Sequence, residues 1–202
     1  ALELGVTTLE MDVVISKDNK VVVSHDVYFH QNITTTPEGK TLTKAEAEKR
    51  LLYTMPYDSI RKYDVGLKPH PDFPRQQKLA VQKPLLADLL DAAEKQNKNI
   101  LYNIEIKSKP DNDGKKHPPI EEFVDLAMAV INAKGTAART TIQSFDPRAL
   151  QVMHRKYPNV TTSLLMEGSD KRTLDEQLKQ LGFTPNVYSP HFSLVTPALM
   201  EQ

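Results

Sequence analysis

The second half of the chain alternates between strand-like and helix-like segments, and this alternation limits the folds that it can adopt. Apolar residues recur at helical spacing over residues 85–96 and 120–134, whereas residues 100–106, 140–145 and 160–166 are short runs of strand formers. Repeated β–α units predict an α/β protein with a parallel sheet, either doubly wound or closed into a barrel. The pattern contains about five such strands, and a complete eight-unit barrel typically needs about 250 residues. With 202 residues, the chain is too short for a complete barrel.

The chain begins with a hairpin whose first strand carries two carboxylates. Residues 9–15 and 20–24 are strand-like, and residues 17–19 form a turn between them. The period of two in a strand places Glu10 and Asp12 on one face, opposite the apolar residues of that strand. Two neighbouring carboxylates on a buried strand need a cation to compensate them. Alternatively, both face solvent on an edge strand or pair with lysines.

A later strand repeats this pattern. Glu105 and Lys107 share one face of the strand over residues 100–106 and its continuation, and isoleucines occupy the other face. The two charges form either a self-compensating ladder on the surface or part of a site. Because two separate strands carry acidic residues near their carboxyl ends, where parallel α/β folds build their sites, the pattern favours a site.

A histidine and an aspartate, His25 and Asp26, end the second strand of the hairpin. A neutral imidazole beside a carboxylate can transfer protons near neutral pH, although such a histidine is more often only a half-buried polar residue. The remaining histidines are expected to be structural or exposed: His30, His70, His117, His154 and His191.

The candidate ligands and the composition limit which metal ions, reactions and partners the chain is expected to have. Three carboxylates in a chain without cysteine form a hard oxygen site, which suits Mg²⁺ or Ca²⁺ better than structural zinc. A divalent ion, a lysine and a histidine favour phosphoryl transfer or phosphate ester hydrolysis. The 26 basic and 26 acidic residues remove the electrostatic argument for nucleic acid or an anionic membrane as the main partner. No apolar run approaches the ~20 residues that cross a bilayer.

An irregular segment separates the hairpin from the regular half of the chain. Residues 54–83 contain several prolines and are interpreted as an excursion from one domain, not as a linker between two domains. Before it, a capping box of Thr43 and Glu46 predicts a short helix through Leu51. A last helix is predicted from Val195 onward.

Motifs along the chain resemble those of the glycerophosphodiester phosphodiesterases. They are, in the family's order, LEMDVV at residues 9–14, VSHD at 23–26, KPLL at 83–86, NIEIK at 103–107 and IQSFD at 142–146. The most specific part is the glutamate-x-aspartate strand followed about a dozen residues later by histidine-aspartate. The resemblance extends over nearly the whole chain.

The resemblance implies a TIM (β/α)8-barrel type of fold, incomplete in this chain, with an inserted subdomain. Residues 1–202 would form a single catalytic barrel domain, and residues 27–83 would be the insertion. The family's first strand, with its histidine-arginine-glycine motif, and its last barrel strands have no counterpart here. The resemblance therefore implies an internal portion of the family fold.

The resemblance also implies a role for each candidate residue. The metal ligands would be Glu10, Asp12 and Glu105, and His25 would be one of two catalytic histidines. Lys107 would lie near the substrate phosphate as a catalytic and substrate-binding residue, and Phe145 would form an aromatic wall of the cleft.

The implied activity is metal-dependent hydrolysis of a glycerophosphodiester to glycerol 3-phosphate and an alcohol, with Ca²⁺ or Mg²⁺ as cofactor. Two alternatives stay open: a non-catalytic barrel that binds phosphate-bearing ligands, and a related barrel phospholipase that acts on intact lipids. The phospholipase would need an apolar rim for membrane contact, and residues 53–73 are only mildly apolar. The resemblance favours export, for example to a periplasm; compartment and oligomeric state stay open.

Overall fold

The computed structural model describes residues 1–201 and contains a six-stranded sheet. The strands are, in chain order, β1 (Thr8–Ile15), β2 (Val21–Val23), β3 (Leu101–Ile106), β4 (Thr140–Ser144), β5 (Thr161–Met166) and β6 (Val187–Pro190). They lie in the sheet in the order β2-β1-β3-β4-β5-β6, with β2 antiparallel to β1 and the other neighbouring pairs parallel. The predicted hairpin and the predicted parallel strands are therefore confirmed.

The described residues contain seven α-helices, of which the third to the sixth each precede one of the strands β3–β6 and pack against the same face of the sheet. The helices are α1 (Lys44–Glu48), α2 (Tyr57–Ile60), α3 (Leu86–Gln96), α4 (Ile120–Ala133), α5 (Pro147–Lys156), α6 (Leu174–Leu181) and α7 (Pro197–Met200). Among the described residues the sheet is open, with β2 and β6 at its two ends. None of the described helices has the length and apolar character needed to cross a membrane. Gln202, the last residue of the predicted domain, lies outside the described residues.

The first short helix begins where the sequence predicts and ends earlier. Thr43 and Glu46 form the capping box, in which each residue's side chain accepts the other's backbone N–H. The helix ends at Glu48 and does not continue to Leu51, because Leu51 forms a β-bridge with Tyr28. Extended pairing of this kind is incompatible with helical dihedral angles.

Two other boundaries differ from the sequence prediction for similarly local reasons. The segment predicted to be irregular contains α2, whose first backbone N–H, from Tyr57, donates to the Asp18 carboxylate over 2.8 Å. The last helix begins at Pro197 and not at Val195, since the Thr196 side chain caps it by accepting the Leu199 N–H. Proline at the first helical position needs no hydrogen-bond partner for its nitrogen.

The hydrophobic core has two parts, which lie on opposite faces of β1. Met11, Val13 and Ile15 pack with the helices of the regular half in the larger part. Val14, on the other face, packs with Val22 and a smaller cluster from residues 27–83. The buried members contributed by residues 27–83 are Phe29, Leu42, Ala47, Leu52, Tyr57 and Ile60. On this observation we propose that residues 27–83 form a subdomain inserted into a single barrel domain.

Candidate active site

The pairing of β1 with β3 brings the predicted carboxylates together. Asp12 lies opposite Glu105 in the parallel register, and Glu10 lies opposite Asn103. Glu10, Asp12 and Glu105 each offer a carboxylate oxygen, and these oxygens lie within 4.8 Å of one another. The face that carries Glu10 and Asp12 is the face on which Val14, farther along β1, meets the insertion. Glu105 is the last residue but one of β3, so the cluster lies near the carboxyl end of the sheet, on the face that packs against residues 27–83.

Lys107 pairs with the same carboxylates. Its Nζ lies 3.0 Å from Glu105 Oε1 and 3.5 Å from Asp12 Oδ1. The sequence left open whether these carboxylates pair with lysines or form a site, and the structure contains both the lysine pairing and the cluster of oxygens. A single ammonium offsets only part of the charge of three carboxylates.

Burial raises the free energy of the ionised carboxylates in this cluster. Glu105 is only 7% exposed, and burial together with the nearby Asp12 raises its pKa to about 7, against the opposing effect of Lys107. The pKa of Glu10 is also raised, by burial first and by Asp12 second. Burial disfavours the Lys107 ammonium, yet the two neighbouring carboxylates raise its pKa above the usual value.

The donor set fits a hard divalent cation. Every candidate ligand is a carboxylate oxygen, which is the ligand type that Mg²⁺ and Ca²⁺ prefer. The raised pKa of Glu105 indicates that its anionic form is under-compensated in the protein, and a bound cation would supply the missing positive charge. Glu10, Asp12 and Glu105 are therefore the residues that could hold it.

The predicted catalytic histidine lies beside a cavity at the edge of β1. Its side chain is 73% exposed, and its Nδ1 lies 3.2 Å from Asp26 Oδ1. A cavity of about 540 Å³ between this edge and α3 is lined by His25, Glu10 and Asp12 together with apolar residues. Glu105 does not line it, so the cavity reaches the cluster from one side only.

Phe145 follows β4 directly and is 39% exposed. Gln143 lies opposite Glu105 in the sheet, and Phe145 is two residues farther along, on the same face by strand period. The structure therefore places Phe145 at the carboxyl end of the sheet, one strand away from Lys107. Its role as a wall of the substrate cleft stays a prediction.

Gln143, to which the sequence pattern assigns no role, contacts a candidate ligand. Its Nε2 donates to Glu10 Oε1 over 2.8 Å, and Asn103 Nδ2 donates to Gln143 Oε1 over 2.9 Å. These amides therefore hold one carboxylate of the cluster in a fixed orientation, as outer partners of metal ligands do. Strand period places Gln143 on the inner face and could have identified it.

A charged network, also missed in the sequence analysis, holds the loop that follows β3. Arg148 forms two hydrogen bonds to Asp113, of 2.9 and 3.0 Å, and also binds Asp146. Ser108, next to Lys107, donates over 3.0 Å to Asp146 Oδ2, the oxygen that also accepts from Arg148. The start of α5 thus anchors the loop that begins at Lys107.

Comparison with known proteins adds two curated relatives. A glycerophosphodiester phosphodiesterase from Bacillus subtilis is 25% identical over 174 residues, which cover 83% of this chain and 52% of the relative. One from Caldanaerobacter subterraneus is 29% identical over 168 residues, covering 83% of this chain and 58% of the relative. The chain therefore spans little more than half the length of these relatives.

Solved structures show the same fold. A glycerophosphoryl diester phosphodiesterase structure from Silicibacter pomeroyi superposes with a TM-score of 0.84 at 29% identity, over 99% of this chain and 70% of that one. A phosphodiesterase from Oleispira antarctica superposes with a TM-score of 0.71 at 18% identity, over 98% and 69% of the two chains. The family has a TIM-barrel fold, so the predicted fold class is confirmed, here as an open part of the sheet. The family's sequence profile matches residues 1–199, and the chain belongs to the glycerophosphoryl diester phosphodiesterase family.

Proposed function

We propose that the protein is a metal-dependent phosphodiesterase that hydrolyses glycerophosphodiesters to glycerol 3-phosphate and an alcohol. The observation that carries this proposal is the cluster of Glu10, Asp12 and Glu105 oxygens within 4.8 Å, with the Lys107 ammonium beside it. Family membership and the two curated relatives support it. The Oleispira antarctica phosphodiesterase was solved with the product sn-glycerol-3-phosphate, the product proposed here.

The cluster is proposed to hold Mg²⁺ or Ca²⁺ through its carboxylates. When bound, the cation polarises a phosphodiester oxygen as a Lewis acid. Lys107 supplies a second positive charge, which stabilises the negative charge that develops on the phosphoryl oxygens. Its raised pKa keeps it protonated at neutral pH, so it serves as a donor and not as a base.

His25 is proposed to move the proton that hydrolysis requires. Breaking the ester bond leaves an alkoxide that must be protonated, and the attacking oxygen must lose a proton. The imidazole is exposed on the cavity that also reaches Glu10 and Asp12, so it can meet a substrate bound at the cluster. Asp26, 3.2 Å from Nδ1, orients the ring and leaves Nε2 for proton transfer.

The test is release of glycerol 3-phosphate from glycerophosphocholine, measured with Mg²⁺, with Ca²⁺ and with a chelator. We expect turnover that needs the cation, and the comparison of the two ions identifies the better cofactor. His25→Ala should reduce kcat about 10²–10⁴-fold. The matched control is His154→Ala, on α5, where the ring stacks on Phe183 and takes no part in the cluster.

Thermal unfolding separates binding from chemistry. A cation at about a hundred times its Kd stabilises the native state by about 2.7 kcal/mol. This shift should persist in His25→Ala and disappear in Asp12→Asn. Cation binding without turnover of any diester would instead support a phosphate-binding module, and hydrolysis of intact phospholipid vesicles would support the phospholipase alternative.

A further inference from the structure

Lys83, at the end of the insertion, is a buried charged side chain for which the proposed mechanism has no use. It is 6% exposed, and burial lowers its pKa to about 8, with Asp26 opposing the shift. The side chain is therefore mainly an ammonium at neutral pH. A buried ammonium is costly unless its hydrogen bonds are made, which makes its partners informative.

The partners of Lys83 surround the turn that carries His25. Its Nζ donates to Ser24 Oγ over 2.7 Å and lies 5.8 Å from the centre of the Phe29 ring. The Ser24 hydroxyl in turn donates to the backbone oxygen of Asp26 over 2.6 Å. The ammonium and the hydroxyl thus form a chain of hydrogen bonds that spans the backbone on both sides of His25.

The ends of this chain are fixed to the rest of the fold. The Ser24 N–H donates to the backbone oxygen of Asp12 over 2.9 Å, which ties the turn to a candidate metal ligand. The backbone oxygen of Lys83 accepts from the Tyr57 hydroxyl over 3.1 Å, inside the small core of the insertion. Neither end can shift without breaking buried contacts.

We propose that Lys83 is a positioning residue that holds the His25 turn through the Ser24 hydroxyl and thereby sets where the imidazole lies relative to the carboxylate cluster. The inference rests on the proposed function, because it assigns a purpose to the location of His25. The imidazole itself is exposed and, among the described residues, its side chain forms a hydrogen bond with Asp26 alone, so the backbone of the turn determines where it lies. Lys83 touches no substrate, since it is buried.

Two variants test the chain of hydrogen bonds at different links. Lys83→Met keeps a long unbranched side chain and removes the donor, and Ser24→Ala removes the hydroxyl with a minimal change in volume. Displacing a catalytic group by about 1 Å can cost about 10²-fold in rate, so we expect both variants to lower kcat about 10- to 100-fold. KM should stay the same because neither residue contacts the phosphate. If Lys83→Met does not fold, Ser24→Ala decides alone.

A double-mutant cycle distinguishes positioning from a merely structural role. In a His25→Ala background, Lys83→Met and Ser24→Ala should cause no further loss of kcat, because there is no imidazole left to position. A structural role would lower activity by the same factor in both backgrounds. The matched control is Lys134→Met, whose lysine pairs with Asp91 between α4 and α3 and should leave kcat unchanged.

Amide hydrogen exchange of the full chain provides a readout that does not need activity. The Ser24 amide should exchange about tenfold faster in Lys83→Met than in the wild type, while the Ile104 amide in the core keeps its protection. If the wild type shows no turnover, the proposed function fails and amide exchange alone decides this inference. If the wild type is active, His25→Ala is inactive, and both variants retain full kcat, the inference is overturned while the proposed function stands.

Discussion

The cation site should bind its ion in competition with a proton on Glu105. Burial raises the pKa of this carboxyl to about 7 in the metal-free protein, and only the carboxylate form is a ligand. Lowering the pH from 8 to 6 therefore protonates Glu105 and weakens binding. Glu10, whose pKa is also raised, acts in the same direction. Lys107, whose pKa is raised from an already high value, keeps its proton throughout this range.

The size of the pH effect on cation affinity follows from the competition between the cation and the proton for Glu105. For a single proton with a pKa of about 7, the apparent Kd increases by a factor of one plus the ratio of proton concentration to acid constant. The cation should therefore bind about tenfold more weakly at pH 6 than at pH 8. At pH 6, binding should release nearly one proton per ion, and at pH 8 only about a tenth of one.

Titration calorimetry in two buffers of different ionisation enthalpy measures both quantities. Glu105→Gln should lower the affinity and remove most of its dependence on pH, because it removes a ligand together with its proton. Glu94→Gln is the matched control, since Glu94 pairs with Arg139 away from the cluster and should leave the pH dependence intact. Equal affinity at pH 6 and pH 8, with no difference between buffers, would refute the reasoning.

Three further predictions concern single side chains. Lys107→Met should bind the divalent cation more tightly in calorimetry, because a competing positive charge is gone, yet lower kcat by about 10²–10³-fold. Phe145→Ala should raise KM and leave the cation-induced rise in Tm unchanged; an unchanged KM would argue against a wall of the cleft. Thr173→Ala removes the cap of α6 and should lower the free energy of unfolding in urea by about 1 kcal/mol without affecting kcat, and a change in kcat would contradict this separation of roles.

The periodicity of apolar residues and the helix-capping residues account for most of the local structure that the sequence predicts. The alternation along β1 and β3 places Glu10, Asp12 and Glu105 on the inner face, and the capping box at Thr173 starts α6. That β1 and β3 are neighbours does not follow from periodicity, because strand order depends on packing between distant segments. The family resemblance implied only that carboxylates of both strands belong to one site, and the parallel register of β1 and β3 brings these carboxylates side by side.

The missed contacts are those that join segments far apart in sequence through side chains. The Gln143 amide reaches Glu10 across 133 positions, and Lys83 reaches Ser24 across 59. Strand period places Gln143 on the inner face of the sheet but does not pair it with Glu10, and Lys83 has no periodic signal at all. A buried lysine at the end of a segment rich in prolines resembles an exposed one in sequence, since only the packing of the insertion removes it from solvent. Such contacts become visible only when the core of the insertion is known.

If the proposed function holds, the charge balance of the cluster predicts that the cation binds before the substrate. In the metal-free protein, Lys107 offsets one of three neighbouring carboxylates, and the raised pKa values of Glu105 and Glu10 reflect the remaining excess of negative charge. The phosphodiester proposed as substrate is itself an anion, so the cluster would repel it in the absence of a cation. A cation held by the carboxylates would replace the Lys107 ammonium as their main counter-charge, and the ammonium would then be free to face the phosphate. Substrate affinity should therefore depend on the cation, because the same lysine compensates the carboxylates in one state and the phosphate in the other.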